Sequence, residues 1–258
     1  SNLLTSTKFT AITSIAMLYD LEDPVSFVKS IYDNLADDGI WVFEMSYLPT
    51  MMSMNAYDTI CNEHIEYYSL SVIETLLEKG NMKLINATLN STNGGSIQCT
   101  ATKKDCHSYL TNDINLNCLR MLEFELEMDT IKPYIDFANR VRLITSDLTR
   151  LIHGIKSNGE IIHLYGASTK GNTLLQASNI DSSLIEYAAD RNPDKWSGKT
   201  LGTNIKIISE EESRAMKPDY YLVLPWHFKD EMLIRESETM KKGTKMIFPL
   251  PTLEIYPK

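Results

Sequence analysis

Residues 161–177, reading IIHLYGASTKGNTLLQA, constrain the fold more than any other stretch. A β-branched apolar run (161–165) meets a loop of small residues (166–171), and a helical pattern begins at Asn172. A second strand pattern follows at 185–189 and ends on Asp190. Strand, loop, helix and strand in that order make a βαβ unit, which demands a parallel sheet with a helix on its face. Gly166 permits a tight turn, and N–H groups at the start of a helix can hold a phosphate. An acid at the end of the next strand completes the layout of a nucleotide-binding start. The spacing is GxxxxG, neither the dinucleotide fingerprint nor a phosphate loop, because Lys170 precedes the second glycine. A phosphate-holding loop and a bare strand-to-helix turn both fit it.

The remainder of the chain extends the α/β pattern. Residues 9–18 (FTAITSIAML) read as a buried parallel strand. Asp23-Pro24 opens a helix through Leu35, with Val25, Phe27, Val28, Ile31 and Leu35 on its apolar side. Asp37-Asp38-Gly39 reads as a turn before a strand at 40–44. Ser69, with Ser71 close by, caps a helix whose apolar residues run from Val72 to Leu77 and which stops at Gly80. Strands at 83–89 and 96–102 flank NSTNGG, a loop of residues that tolerate positive φ. Residues 116–156 turn helical, interrupted or restarted at Pro133. Strands at 220–224 and 245–248 end in PWHF and PLP. The expected architecture is α/β: a partial Rossmann-like unit at 1–108, a helical connector at 109–158, and a complete Rossmann-like domain at 159–258.

Composition narrows the function. With 43% hydrophobic and 23% charged residues, 258 residues can bury a real core. A net charge of −9 with scattered Lys and Arg argues against nucleic acid or anionic membrane as the partner. No apolar run approaches the roughly 18–20 residues of a membrane span, and no secretory signal precedes the first strand. Cys61, Cys99, Cys106 and Cys118 form no CxxC pair and have no paired His ligands, so no metal is expected and a reducing, cytoplasmic setting is. Ser1-Asn2 reads as an appended dipeptide.

Residues 62–69 (NEHIEYYS) set carboxylates, an imidazole and two phenols just beyond a strand, where open α/β sheets bind ligands. His64 suits proton abstraction near neutral pH, with Glu63 and Glu66 able to fix its tautomer. A surface loop with chance polar density is the competing reading. Trp226-His227 either lines a pocket or caps the sheet edge. His107, His153 and His163 have no partners in sequence and read as structural or solvent-facing, and Met45, Met51, Met52 and Met54 read as packing.

Seven stretches, ITSIAMLYDLEDPVSFV, EHIEYYS, NGGSI, YGASTKGNTLLQ, AADRNPDKWSGKTLGT, PDYYLVLPWHF and IFPLP, together resemble one family. It is the sugar C-methyltransferases, which methylate carbon 3 of 4-keto-deoxyhexoses attached to a nucleoside diphosphate. The match runs through nearly the whole chain. The resemblance implies deoxysugar biosynthesis, S-adenosylmethionine as methyl donor, and a nucleotide sugar lying between two Rossmann-like domains. It puts His64 at the catalytic position as base, with Glu63 and Tyr67 beside it. Asn93, Gly94 and Gly95 would approach the substrate by backbone. Gly166, Ser168, Thr169, Lys170, Asn172, Trp226 and His227 would form the pocket of the second domain. The family's zinc module and donor-binding glycine loop find no match, and no glycine precedes Gly39. The expectation is a C-terminal portion, inactive alone, with a sheet edge open to self-association. Another small-molecule ketone as acceptor, or a non-catalytic nucleotide-binding module, are the alternatives.

Overall fold

The computed structural model describes residues 8–257, so Ser1-Asn2 lies outside the described residues. Two compact units are present, one of residues 8–52 and 62–133, the other of 53–61 and 134–257.

The first unit contains β1 (Phe9–Ile15), α1 (Pro24–Asn34), β2 (Leu35–Ser46), α2 (Leu48–Ser53), α3 (Leu70–Lys79), β3 (Met82–Asn90), β4 (Ser96–Lys103) and α4 (Asp113–Glu125). Its sheet runs β1-β2-β4-β3, with β1 parallel to β2 and the other pairs antiparallel. Alternate residues of β2 (Trp41, Phe43, Met45) are fully buried against Val28 and Ile31 of α1 and Ile73 and Leu77 of α3. Such alternation marks a sheet packed on one face. The caps form as the residues dictate: Asp23 accepts from Ser26 N and Ser69 from Val72 N.

Two expectations need correction here. The strand expected to be buried ends at Ile15, is the outermost of its sheet, and exposes most of its length; Ile15 is 69% exposed. Its apolar residues meet a neighbour on one side only, so composition did not translate into burial. Asp37-Asp38-Gly39 is not a free turn but a bulge within β2, where the ladder with β1 slips between Leu35 and Ile40. Thr102 donates to Gly39 O, Tyr109 to Asp38 O and Lys103 to Asp37, which holds the bulge in the sheet.

The second unit contains α5 (Lys132–Ser157), β5 (Ile162–Tyr165), α6 (Thr169–Ala177), β6 (Tyr187–Asp190), β7 (Lys206–Ser209), α7 (Glu210–Met216), β8 (Tyr220–Val223), α8 (Lys229–Arg235), α9 (Ser237–Lys241), β9 (Lys245–Phe248) and β10 (Glu254–Tyr256). The order is β10-β9-β8-β5-β6-β7, with five parallel strands and β10 antiparallel at the end. β5 and β8 are buried at every residue, as expected of a parallel sheet covered on both faces. The chain runs outward from β5 through β6 to β7, then returns to β8 on the other side of β5. The crevice beyond β5 and β8 is therefore a topological switch point, where folds of this kind bind ligands. The helix expected at Asn172 starts at Thr169, because Ser168 accepts from Gly171 N. β7 and β10 have four and three residues and left no usable period in the sequence.

The expected connector divides between the units. Leu116 and Leu119 of α4 are in the first core, whereas Leu148, Ile152 and Ile155 of α5 are buried in the second unit. Residues 53–61 join the second unit through Asn55, which donates to Pro251 O and accepts from Arg140, and through Asp58, which accepts from the Trp226 indole.

Candidate functional site

In the first unit, two expected site segments flank the end of β2. Leu48 N donates to Tyr68 O, so Tyr68, four residues after His64, lies beside the strand end. On the other side, Tyr47 N faces Gly95 O, which places the Asn93-Gly94-Gly95 turn beside it. All three turn residues have positive φ (53°, 90° and 128°). A Cβ on Gly95 would sit 2.1 Å from Thr50 Cγ2, so the turn approaches α2 as only glycine permits.

The His64 segment is pinned at the imidazole and on its C-terminal side. Ile65 N and Glu66 N both donate to Tyr19 O (3.0 and 3.1 Å), and the Tyr19 ring packs on the imidazole with centroids 4.2 Å apart. Tyr67 Oη donates to His64 O at 3.2 Å. Glu66 does not orient the imidazole through the oxygen that accepts the Tyr68 phenol (2.6 Å). Glu63 is exposed and makes no hydrogen bond among the described residues.

Glu123, which sequence reasoning missed, anchors this region. Its buried carboxylate accepts from Tyr47 Oη (2.7 Å), Leu70 N and Ser71 N, completing the N-terminus of α3. Burial and the Glu123 charge push the Tyr47 phenol up, so it serves as a neutral donor.

In the second unit, a cleft of about 180 Å³ opens at the switch point, lined among others by Gly166, Ser168, Asp190, Arg191, Pro225 and Phe228. Gly166 has φ +85°, and a Cβ there would meet Pro225 Cδ at 2.8 Å. The remaining expected pocket residues group differently. Thr169 is exposed, and Lys170 and Asn172 are half-buried on the first turn of α6. Trp226 is buried and donates to Asp58 at 2.8 Å, so it packs within the unit and does not line the cleft. His227 lies against Trp226 and Phe228; burial, with the Lys170 charge acting the same way, pushes its pKa down to about 4. It is neutral near pH 7. Asp58 is 1% exposed, its Oδ1 finds no hydrogen-bond partner among the described residues, and burial raises its carboxyl while Lys170 opposes that shift. Lys170 thus sits electrostatically between Asp58 and His227. Asp190, the acid that ends the second strand pattern of the βαβ unit, accepts from Ala167 N, Asn192 N and Lys195 Nζ.

Among the described residues no group of three or more His, Cys, Asp and Glu converges as metal ligands, and no helix is long and apolar enough to cross a membrane.

Comparison with known proteins matches residues 91–251 to the family described as C-methyltransferase C-terminal domain, and residues 4–87 to a methyltransferase domain. C-methyltransferase NovU of Streptomyces niveus is 30% identical over 239 residues, which are 92% of this chain and 55% of that protein. The chain therefore spans about half the length of this relative. Among solved structures, an S-adenosylmethionine-dependent methyltransferase from Clostridium acetobutylicum aligns with TM-score 0.31 and 14% identity over 40% of this chain and 61% of its own. Magnesium protoporphyrin IX methyltransferase from Synechocystis gives 0.30 and 10% over 38% and 47%. Likenesses this partial carry no argument about the site.

Proposed function

Because the chain belongs to the C-methyltransferase family, we propose that its protein methylates the carbon next to the ketone of a keto sugar linked to a nucleoside diphosphate. The observation that carries this reading is His64, held against Tyr19 at the end of β2 with the Asn93-Gly94-Gly95 turn on the opposite flank. A carbon acquires a methyl group only after it has become nucleophilic, and an α-proton is acidic enough for a positioned imidazole to remove. Such a base contributes about 10²–10⁴-fold. His64 takes the proton, Tyr19 and Tyr67 hold its segment, and Glu63 supplies negative charge beside the imidazolium that forms. The backbone of Asn93, Gly94 and Gly95 approaches the sugar. In the second unit, Lys170 and the start of α6, with Gly166, Ser168, Thr169 and Asn172, hold the diphosphate, and Trp226 and neutral His227 pack behind them.

S-adenosylmethionine supplies an electrophilic methyl group on a sulfonium. The glycines of the first unit are committed elsewhere: Gly39 lies in β2, Gly80 caps α3 against Val28, and Gly94 and Gly95 form the β3–β4 turn. The described glycines do not build a donor cradle in the first unit.

Four cysteines without disulfides support a reducing, cytoplasmic setting. The exposed edge of β1 supports self-association, which light scattering checks: a monomeric mass removes it.

Thermal shift with thymidine diphosphate tests the substrate class. At 100-fold above Kd the stabilisation is about 2.7 kcal/mol, and Lys170→Ala should abolish most of it. No shift with any nucleoside diphosphate moves the assignment to another activated ketone.

A further inference from the structure

The DRNPDKW stretch (190–196) makes none of the substrate contacts proposed for the second unit, yet it closes on the loop at 166–168. Both backbone polar groups of Ala167 are held by it. Ala167 N donates to Asp190 Oδ2 at 2.8 Å, and Ala167 O accepts from Lys195 Nζ at 2.7 Å. Lys195 and Asp190 meet at 3.2 Å, closing a triangle around residue 167. The stretch is itself braced: Asn192 N donates to Asp190 Oδ1, Asp194 N to Asn192 Oδ1, and the Trp196 indole to Asp190 O. Next to the triangle, Gly166 N donates to Ala189 O at 2.7 Å, so the turn is fixed from its first residue.

We propose that Asp190 and Lys195 are positioning residues, clamping the 166–168 loop so that the start of α6 faces an anionic group of the substrate. This rests on the reading that the start of α6 takes the diphosphate. The geometry gives the clamp two effects. It fixes the two peptide planes on either side of Ala167, just before α6, so the N–H groups of Thr169 and Lys170, which lack intrahelical acceptors, keep one direction. Donors fixed in advance bind more strongly than donors that must be ordered by the ligand. The clamp also pairs a carboxylate with an ammonium. Asp190 alone would put an uncompensated negative charge beside an anion site, and Lys195 cancels it. The acid that a dinucleotide-binding fold turns toward ribose hydroxyls is here turned inward, onto its own loop.

Lys195 is the residue to change, because its side chain is 40% exposed and its loss leaves no buried cavity. Calorimetry with thymidine diphosphate should show Lys195→Met weakening binding about tenfold, the size of one charge-assisted hydrogen bond. Lys195→Arg, which keeps charge and donors, should recover most of it. Both variants should melt close to the unaltered chain. A readout independent of ligand is amide exchange: Lys195→Met should speed exchange over residues 166–171 and leave β8 and β9 unchanged. Binding that survives Lys195→Met but is lost in Lys170→Ala overturns the clamp and spares the anion site. Unaltered exchange at 166–171 overturns the clamp whatever the ligand does. Absence of binding by the unaltered chain sinks the diphosphate reading, and exchange then decides whether the clamp holds the loop.

Discussion

Glu123 shows how a single side chain positions this site. Three donors converge on its buried carboxylate, from Tyr47, Leu70 and Ser71. Glu123→Ala strands all three, of which the Tyr47 and Leu70 donors are buried, and each unpaired buried donor costs about 1–3 kcal/mol. The expected loss is about 3 kcal/mol or more in urea denaturation; a change under about 0.5 kcal/mol, the size of an ordinary surface substitution, contradicts this role. His163 makes a pH prediction. It is 2% exposed, bonded to Ser213, and held down at about 4 by burial. Between pH 6.5 and 4 the unfolded chain binds a proton that the folded one refuses. Stability is therefore full above pH 6.5 and falls as pH drops through that window, by at most about 3 kcal/mol. A His163→Gln variant should show a shallower acid slope in thermal melts, and an equal slope would refute the assignment. His163 reads from the sequence as structural or solvent-facing, and its burial agrees with the first; the role of Glu123 is not legible there. Glu123 sits in a helical pattern where a charged residue reads as solvent-facing, and its three donors lie 76, 53 and 52 positions away.

At the scale of elements, legibility followed local chemistry. Asp23 before Pro24 and Ser69 before an apolar helical run specified their helix starts, because a cap acts within three residues. The helical pattern of the sequence begins at Asn172, three residues after α6 does, because Ser168 reads as loop although its hydroxyl caps Gly171 N. β1 reads as buried for the opposite reason: burial depends on neighbours, and its sequence does not reveal that it is outermost. The Asn93-Gly94-Gly95 turn was legible as a turn, but its place beside Tyr47 depends on β4 pairing with β2, which no local pattern encodes. Gly95 is the sharpest test at this scale. An alanine there would face both φ +128° and a contact at 2.1 Å with Thr50. Gly95→Ala should lose about 1–3 kcal/mol by denaturation, whereas Gly154→Ala, with nothing near its Cβ, should not be destabilised. Equal stability of the two variants would contradict the close approach.

For the molecule as a whole, the α/β class followed from the two alternating patterns, and the second unit's switch point followed from them once the order of β5 and β8 was known. The discontinuity did not. Residues 53–61 fold with the second unit, although the strands and helices on either side of them belong to the first. That assignment rests on Asn55 and Asp58 finding partners far along the chain, and no composition shift marks it. The central claim is that His64 removes a proton from the carbon to be methylated. Its most direct test is solvent exchange in the full-length protein, in D₂O, with a nucleoside-diphosphate-linked 4-keto-6-deoxysugar and no methyl donor. Mass spectrometry should show one deuterium entering the sugar with the unaltered protein, and none above the uncatalysed background with His64→Ala. Undiminished incorporation in His64→Ala would contradict the account, and the base would have to be another residue.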